Sequence, residues 1–102
     1  MYLIQILLPL YDNEQHTLPR DHYMNVTSEL TERFGGLTAY TRTPAEGHWK
    51  DPREQTSRDE IVIYEVMTPE LDGAWWLSYR NQLETRFRQE VVVIRAQEVR
   101  IL

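Results

Sequence analysis

Hydrophobic and polar positions alternate most clearly over Asp59–Met67, which reads Asp-Glu-Ile-Val-Ile-Tyr-Glu-Val-Met. Successive side chains of a strand point to opposite faces. One face of this strand carries Ile61, Ile63 and Glu65, and the other carries Val62, Tyr64 and Val66. Both faces are largely apolar, so both need cover. Tyr2–Leu8 has the same character, with Tyr2, Ile4, Ile6 and Leu8 set against Leu3, Gln5 and Leu7, and Pro9 ends it. The polar stretch Tyr11–Leu18 reads as a loop.

The period then changes. From Pro19 to about Phe34 the apolar residues Tyr23, Val26, Leu30 and Phe34 recur at helical spacing. Pro19 suits the first turn, and Asp21 and Arg33 suit the two ends of the helix dipole. Gly35 stops the helix, and Gly36 lets the chain reverse into a strand over Leu37–Arg42. Thr43–Arg58 follows as a long segment rich in Pro, Gly and charge. It is expected to be a loop, extending in part the strands it joins.

After the central strand, Thr68-Pro69-Glu70 looks like a helix start, with Thr68 as N-cap and Pro69 at N1. The stripe of this second helix is Trp76, Tyr79, Leu83 and Phe87, with Leu71 and Trp75 beside it. Glu84 and Arg88 are spaced for an i,i+4 pair. Val91–Ala96 is the last strand, and Gln97–Leu102 extends it or forms a short edge strand.

The order β-α-β-β-α-β is that of a ferredoxin-like α+β fold, a four-stranded antiparallel sheet with two helices on one face. Two helices cover one face of such a sheet. The strands put apolar residues on both faces, with Leu3, Leu7, Ile61, Ile63, Val91 and Val93 on one parity and Ile4, Ile6, Val62, Val66, Val92 and Ile94 on the other. A solvated sheet face is mostly polar. The expected cover is a second copy, giving a homodimer through the sheet face in the manner of a dimeric α+β barrel. The pattern leaves open which parity meets the helices.

Composition narrows the classes. The chain has 102 residues, fit for a single domain spanning 1–102. It is 41% hydrophobic and 26% charged, an ordinary globular balance. The formal net charge is −5 and Lys50 is the only lysine, which argues against a nucleic-acid partner. The lack of cysteine excludes disulfides and thiol chemistry. No apolar run reaches the roughly 20 residues of a membrane span, and Met1–Leu8 lacks the features of a signal peptide, so a soluble cytoplasmic protein without membrane association is expected.

The run Leu30-Thr-Glu-Arg-Phe34-Gly35-Gly36-Leu37-Thr38, then Gly47-His48-Trp49, then Glu60 opening a strand, resembles a group of small uncharacterised bacterial proteins in the dimeric α+β barrel superfamily. That superfamily includes cofactor-independent monooxygenases, haem-degrading enzymes, muconolactone isomerase-like proteins and ligand-sensing modules. The resemblance implies the fold and a loose class of function. No catalytic motif of any one member carries over.

The candidate chemistry is sparse. His16, His22 and His48 are the only histidines, and none forms a metal-binding spacing with another. Asp12, Glu14 and His16 are read as solvated loop residues before a metal site, and His22 or His48 as a haem ligand only as a remote alternative, so no metal and no cofactor is expected. Trp75, Trp76 and Tyr79 are either core packing or the wall of an apolar ligand pocket. Glu65, His48 and Arg42 are the candidate catalytic residues, with Trp49 and Tyr64 beside them. Glu65 interrupts an apolar face. It is expected to pair with Arg95 or Arg42, or, opening onto a cavity with His48, to serve in acid–base catalysis. Tyr40 or Tyr64 has the hydroxyl to meet a phenolic or enol oxygen. Two functions follow: a small enzyme, monooxygenase- or isomerase-like, acting on an aromatic or polyketide-like molecule, or a non-catalytic module that binds a small molecule or a protein.

Overall fold

The computed structural model describes the backbone of residues 1–50 and 56–102, and the side chains of 1–41 and 61–102. The elements are β1 (Tyr2–Pro9), α1 (Arg20–Phe34), β2 (Thr38–Lys50), β3 (Thr56–Thr68), α2 (Gly73–Arg86) and β4 (Val93–Glu98). The strands form one antiparallel sheet in the order β2-β3-β1-β4. This is the ferredoxin-like arrangement expected from the element order. No helix among the described residues is long and apolar enough to cross a membrane.

The parity left open by the pattern is now fixed. Ile4, Ile6 and Leu8 of β1 and Val62, Tyr64 and Val66 of β3 are buried beneath the helices. Val26 and Leu30 of α1, and Trp76, Tyr79 and Leu83 of α2, meet them in one core. Each fully buried aliphatic side chain contributes on the order of 1.5–3 kcal/mol relative to exposure. Aromatic rings pack in and against this core. Phe34 stacks on Trp76 at 5.3 Å, and Phe87 receives the edges of His22 and Tyr23 at 5.6 and 5.2 Å.

Several local expectations change. Thr68 is the last residue of β3 rather than a helix cap, and its hydroxyl donates to the Glu70 carbonyl at 2.9 Å. The cap of α2 is Asp72, whose carboxylate accepts from the Trp75 amide at 3.1 Å. Pro69 therefore ends a strand instead of opening a helix. Glu84 and Arg88 do not pair within a helix, because α2 has ended by Arg86. Arg88 sits in the left-handed region (φ 53°), with its amide on the Thr85 carbonyl and the Gln89 amide on that of Glu84. That is a Schellman stop with arginine where glycine is usual, which hid it from sequence reading. Glu84 instead accepts from the Val92 amide at 3.0 Å and faces Arg80 at 4.0 Å. β4 accordingly begins at Val93, and the Val99 amide continues its pairing onto the Met1 carbonyl at 2.8 Å.

Of the expected loop Thr43–Arg58, residues 43–50 and 56–58 are strand, and 51–55 lie outside the described residues. β2 and β3 pair through Ala45–Lys50 against Thr56–Ile61, with an irregularity between Tyr40 and Ala45. β1 pairs with β3 only from Ile61 to Thr68, so the far part of this hairpin runs on past β1 as a two-stranded ribbon.

The two helices are also clamped to each other. Arg86 makes a forked pair with Glu29 at 2.6 and 3.1 Å, and the Tyr79 hydroxyl donates to the same carboxylate at 3.1 Å. The guanidinium bonds, more than any other factor, hold the Glu29 carboxyl below its usual range, and burial together with the carboxylate pushes the Tyr79 phenol up. A depressed carboxyl contributes stability above its unfolded value, which is lost as pH falls through the folded value.

Two outcomes test this frame. Glu29→Gln is expected to lower stability at pH 7 by about 1 kcal/mol or less, since Glu29 is more than a third exposed. It should also flatten the loss of Tm between about pH 5 and pH 3, as read by calorimetry across that range. Arg88→Gly is expected to raise stability by about 0.5–1 kcal/mol in urea unfolding, because glycine enters the left-handed region without strain.

Candidate functional site

Side chains of the parity opposite to the core stand on the sheet face away from the helices. β1 presents Leu3, Gln5 and Leu7 there, β3 presents Ile61, Ile63, Glu65 and Met67, and β4 presents Val93, Arg95 and Gln97. Much of this face is apolar and open: Met67 is 52% exposed and Val93 47%.

The pairing registers line up one polar residue from each of three strands. Gln5 lies opposite Glu65 on β3 and opposite Arg95 on β4. The Arg95 Nε donates to Gln5 Oε1 at 2.7 Å, and Gln5 Nε2 donates to Glu65 Oε1 at 2.7 Å. One orientation of the Gln5 amide satisfies both bonds. Tyr40 of β2 reaches diagonally to complete the row, its hydroxyl donating to Glu65 Oε2 at 3.3 Å. The row therefore crosses all four strands, with a cation at the β4 end and a carboxylate, held by an amide and a phenol, at the β3 end. Val93, Leu7 and Ile63 form an apolar row along one side of it, and Leu3 and Met67 flank it on the other.

The other sequence candidates divide among separate places. Tyr64 neighbours Glu65 in the chain but points into the core, 4% exposed, so the two do not share a face. Trp76 and Tyr79 are core residues. Trp75 is half-buried beside α1, stacked on Tyr79 at 4.8 Å and covered by the Arg33 guanidinium at 4.1 Å. A shallow groove of about 440 Å³ lies there between the helices, lined by Glu29, Arg33, Trp75, Ser78 and Tyr79 among others. It opens on the outer side of the helices, not between helices and sheet. Arg33 and Tyr79 lie over the Trp75 ring, which leaves little aromatic face for a ligand.

The side chains of Arg42, His48 and Trp49 lie outside the described residues. Their backbone places His48 opposite Arg58 in the ribbon, roughly 20 Å along β3 from Glu65. Of the two expected partners for Glu65, Arg95 is on the same face and is linked through Gln5 rather than directly.

The loop acids are occupied by the backbone. Asp12 Oδ1 accepts from the amides of Glu14 and His16 at 2.8 and 2.9 Å, closing a turn in which Gln15 takes a positive φ. His16 stands 3.5 Å from the other Asp12 oxygen. Among the described residues no group of three His, Cys, Asp or Glu side chains is placed to hold a metal ion.

Gln5 is the residue sequence reading passed over. A signal for it existed: Gln5 and Glu65 each interrupt an apolar strand parity, and Arg95 ends the apolar run of its own. Only the registers between strands show that the three coincide.

No protein-family model matches the chain, and no curated protein sequence matches it. Solved structures do resemble it. A phage SAM lyase in complex with S-methyl-5′-thioadenosine superposes with a TM-score of 0.66 at 18% identity, over 95% of this chain and 80% of that one. A phage SAM lyase in the apo state gives 0.64 at 16%, over 95% and 79%. A mutant CutA1 from Pyrococcus horikoshii OT3 gives 0.62 at 12%, over 100% and 86%. The chain shares with these proteins a small α+β fold of the ferredoxin-like type.

Proposed function

We propose that the open sheet face, centred on Glu65, is the working surface of a small protein of the dimeric α+β barrel type. A second copy covers the face, and a small molecule with a flat apolar body and one polar oxygen binds beside Glu65. The observation that carries this reading is the polar row itself: a carboxylate held between the Gln5 amide and the Tyr40 hydroxyl on a face otherwise rich in Leu, Ile, Val and Met. Small-molecule sites have this composition, apolar walls with a few fixed polar groups.

In the enzyme form of the reading, Glu65 is the general base. It takes a proton from a carbon next to a carbonyl, or from an enol or phenol, and Tyr40 is placed to donate to the oxygen on which charge develops. This is isomerase-like chemistry and calls on no cofactor. A second reading, binding without turnover, is favoured by a specific feature: both Glu65 oxygens already accept hydrogen bonds. A carboxylate so occupied suits recognition as well as proton transfer.

The test is a thermal-shift and turnover panel of phenols, aromatic enols and S-methyl-5′-thioadenosine, the last because a structure of the same fold was solved with it. A ligand at about 100 times its Kd is expected to stabilise the chain by about 2.7 kcal/mol, and its NMR perturbations should centre on Gln5, Ile63 and Glu65. If it turns over, Glu65→Gln should lower kcat by at least about 100-fold. Stabilisation without turnover selects the binding reading. Perturbations centred on Trp75 and Ser78 would move the site to the helix groove and overturn both.

A further inference from the structure

We infer that Glu65 and Tyr40 of one copy, together with Arg95 of a second copy, form one composite site, repeated twice about a two-fold axis that runs along β1. This composite site rests on the open-face reading above and adds its register and the residue that the partner contributes.

The inference comes from how charge and apolar surface are laid out on the face. Gln5 is on β1, with Glu65 one strand away on β3 and Arg95 one strand away on the other side, on β4. Neighbouring strands are about 4.8 Å apart, so opposite charges flank β1 at equal distances. A two-fold axis lying between two stacked sheets and parallel to β1 reverses the order of strands but keeps position along them. It sets Arg95 over the partner subunit's Glu65, and Glu65 over the partner subunit's Arg95. The same operation sets the apolar row Val93, Leu7, Ile63 over its own reverse. Leu7 then meets the partner's Leu7, and Val93 meets the partner's Ile63.

The alternative axis, across the strands, lays Glu65 over the partner's Glu65 and Arg95 over the partner's Arg95. Like charges so placed are destabilising. The face is thus self-complementary in one of these two arrangements and self-repelling in the other. An isologous contact needs this kind of complementarity from a single surface patch. Stacked sheets lie about 10 Å apart, a gap that an arginine and a glutamate span together.

The same register leaves room for a ligand. β2 lies one strand beyond β3, while the partner's sheet ends over β3 at the partner's β4. Tyr40 therefore lies at an uncovered step next to Glu65 and the partner's Arg95. The ligand class that suits this step is a flat, mostly apolar molecule with one acidic oxygen. The partner's guanidinium joins the Tyr40 hydroxyl at the oxygen, the apolar side chains beside them take the flat body, and Glu65 faces the exchangeable proton.

Charge exchange between copies tests contact between the two faces, and cross-linking tests the register. Glu65→Arg alone and Arg95→Glu alone are each expected to weaken the dimer at least about 100-fold, because every exchanged pair becomes repulsive. An equimolar mixture of the two variants is expected to recover dimers in analytical ultracentrifugation, since each heterodimer holds one native pair and one reversed pair. The axis across the strands would also set opposite charges together in that mixture, so the recovery reports contact between the two faces, and the register is read by cross-linking. Because the chain has no cysteine, a second pair of variants gives an independent readout. Glu65→Cys mixed with Arg95→Cys should cross-link efficiently through a short bismaleimide, and neither variant should do so alone. A wild-type protein that is monomeric at 50 μM in the same instrument overturns the open-face dimer itself. A wild-type dimer in which the mixed cysteine variants do not cross-link, or in which either one cross-links alone, overturns this register and leaves the dimer standing.

Discussion

Two helices can bury only one face of a four-stranded sheet, and most of this molecule follows from that limit. α1 and α2 take the parity of Ile4, Ile6, Val62, Tyr64 and Val66. The other parity carries Leu3, Leu7, Ile61, Ile63 and Met67 and receives no cover from the helices. A strand that is apolar on both sides is suited to a sheet enclosed on both sides. The central strand β3 meets this condition along most of its length, and β1 shares it. What lies on the uncovered face is therefore the question on which the proposed function turns.

Most of the polar residues on that face stand together. Gln5, Glu65 and Arg95 fall at one level because the β1–β3 and β1–β4 registers place them there, and Tyr40 joins from β2. On a merely solvated face, charged residues gain little from such alignment, since exposed pairs are worth about 1 kcal/mol or less. Enclosed between apolar rows, the same groups would need their hydrogen bonds satisfied, as Gln5 and Glu65 largely are. The helix side solves its own problem separately. Glu29, Arg86 and Tyr79 join α1 to α2 above the core, and they bear on stability rather than on the site.

The architecture was legible because period and punctuation agree: alternation over Tyr2–Leu8 and Asp59–Met67, helical spacing from Tyr23 to Phe34 and from Trp76 to Leu83, and the Gly35 stop. The errors lay where local chemistry has two uses. Thr68-Pro69 serves a strand end as well as it serves a helix start, and Asp72 wins the cap because it stands next to the first helical residue. Arg88 ends α2 in a conformation that arginine does not advertise. The hairpin arms looked like a loop because Pro, Gly and charge are common in loops, and a ribbon not flanked by β1 has no need of an apolar alternation. The candidate site was half legible. Glu65 was conspicuous as the one carboxylate on an apolar parity, whereas Gln5 became significant only once register joined three strands. Tyr64 was grouped with Glu65 by sequence adjacency, which on a strand puts two side chains on opposite faces.

The central claim is that Glu65 belongs to a surface that a second copy covers. Carboxyl footprinting of wild-type protein over a dilution series, read by mass spectrometry at Glu65 and Glu29, measures this directly. Glu65 should be labelled at nanomolar concentration and protected by at least tenfold at high micromolar concentration, with labelling of Glu29 constant throughout. Equal labelling of Glu65 at every concentration would contradict the account.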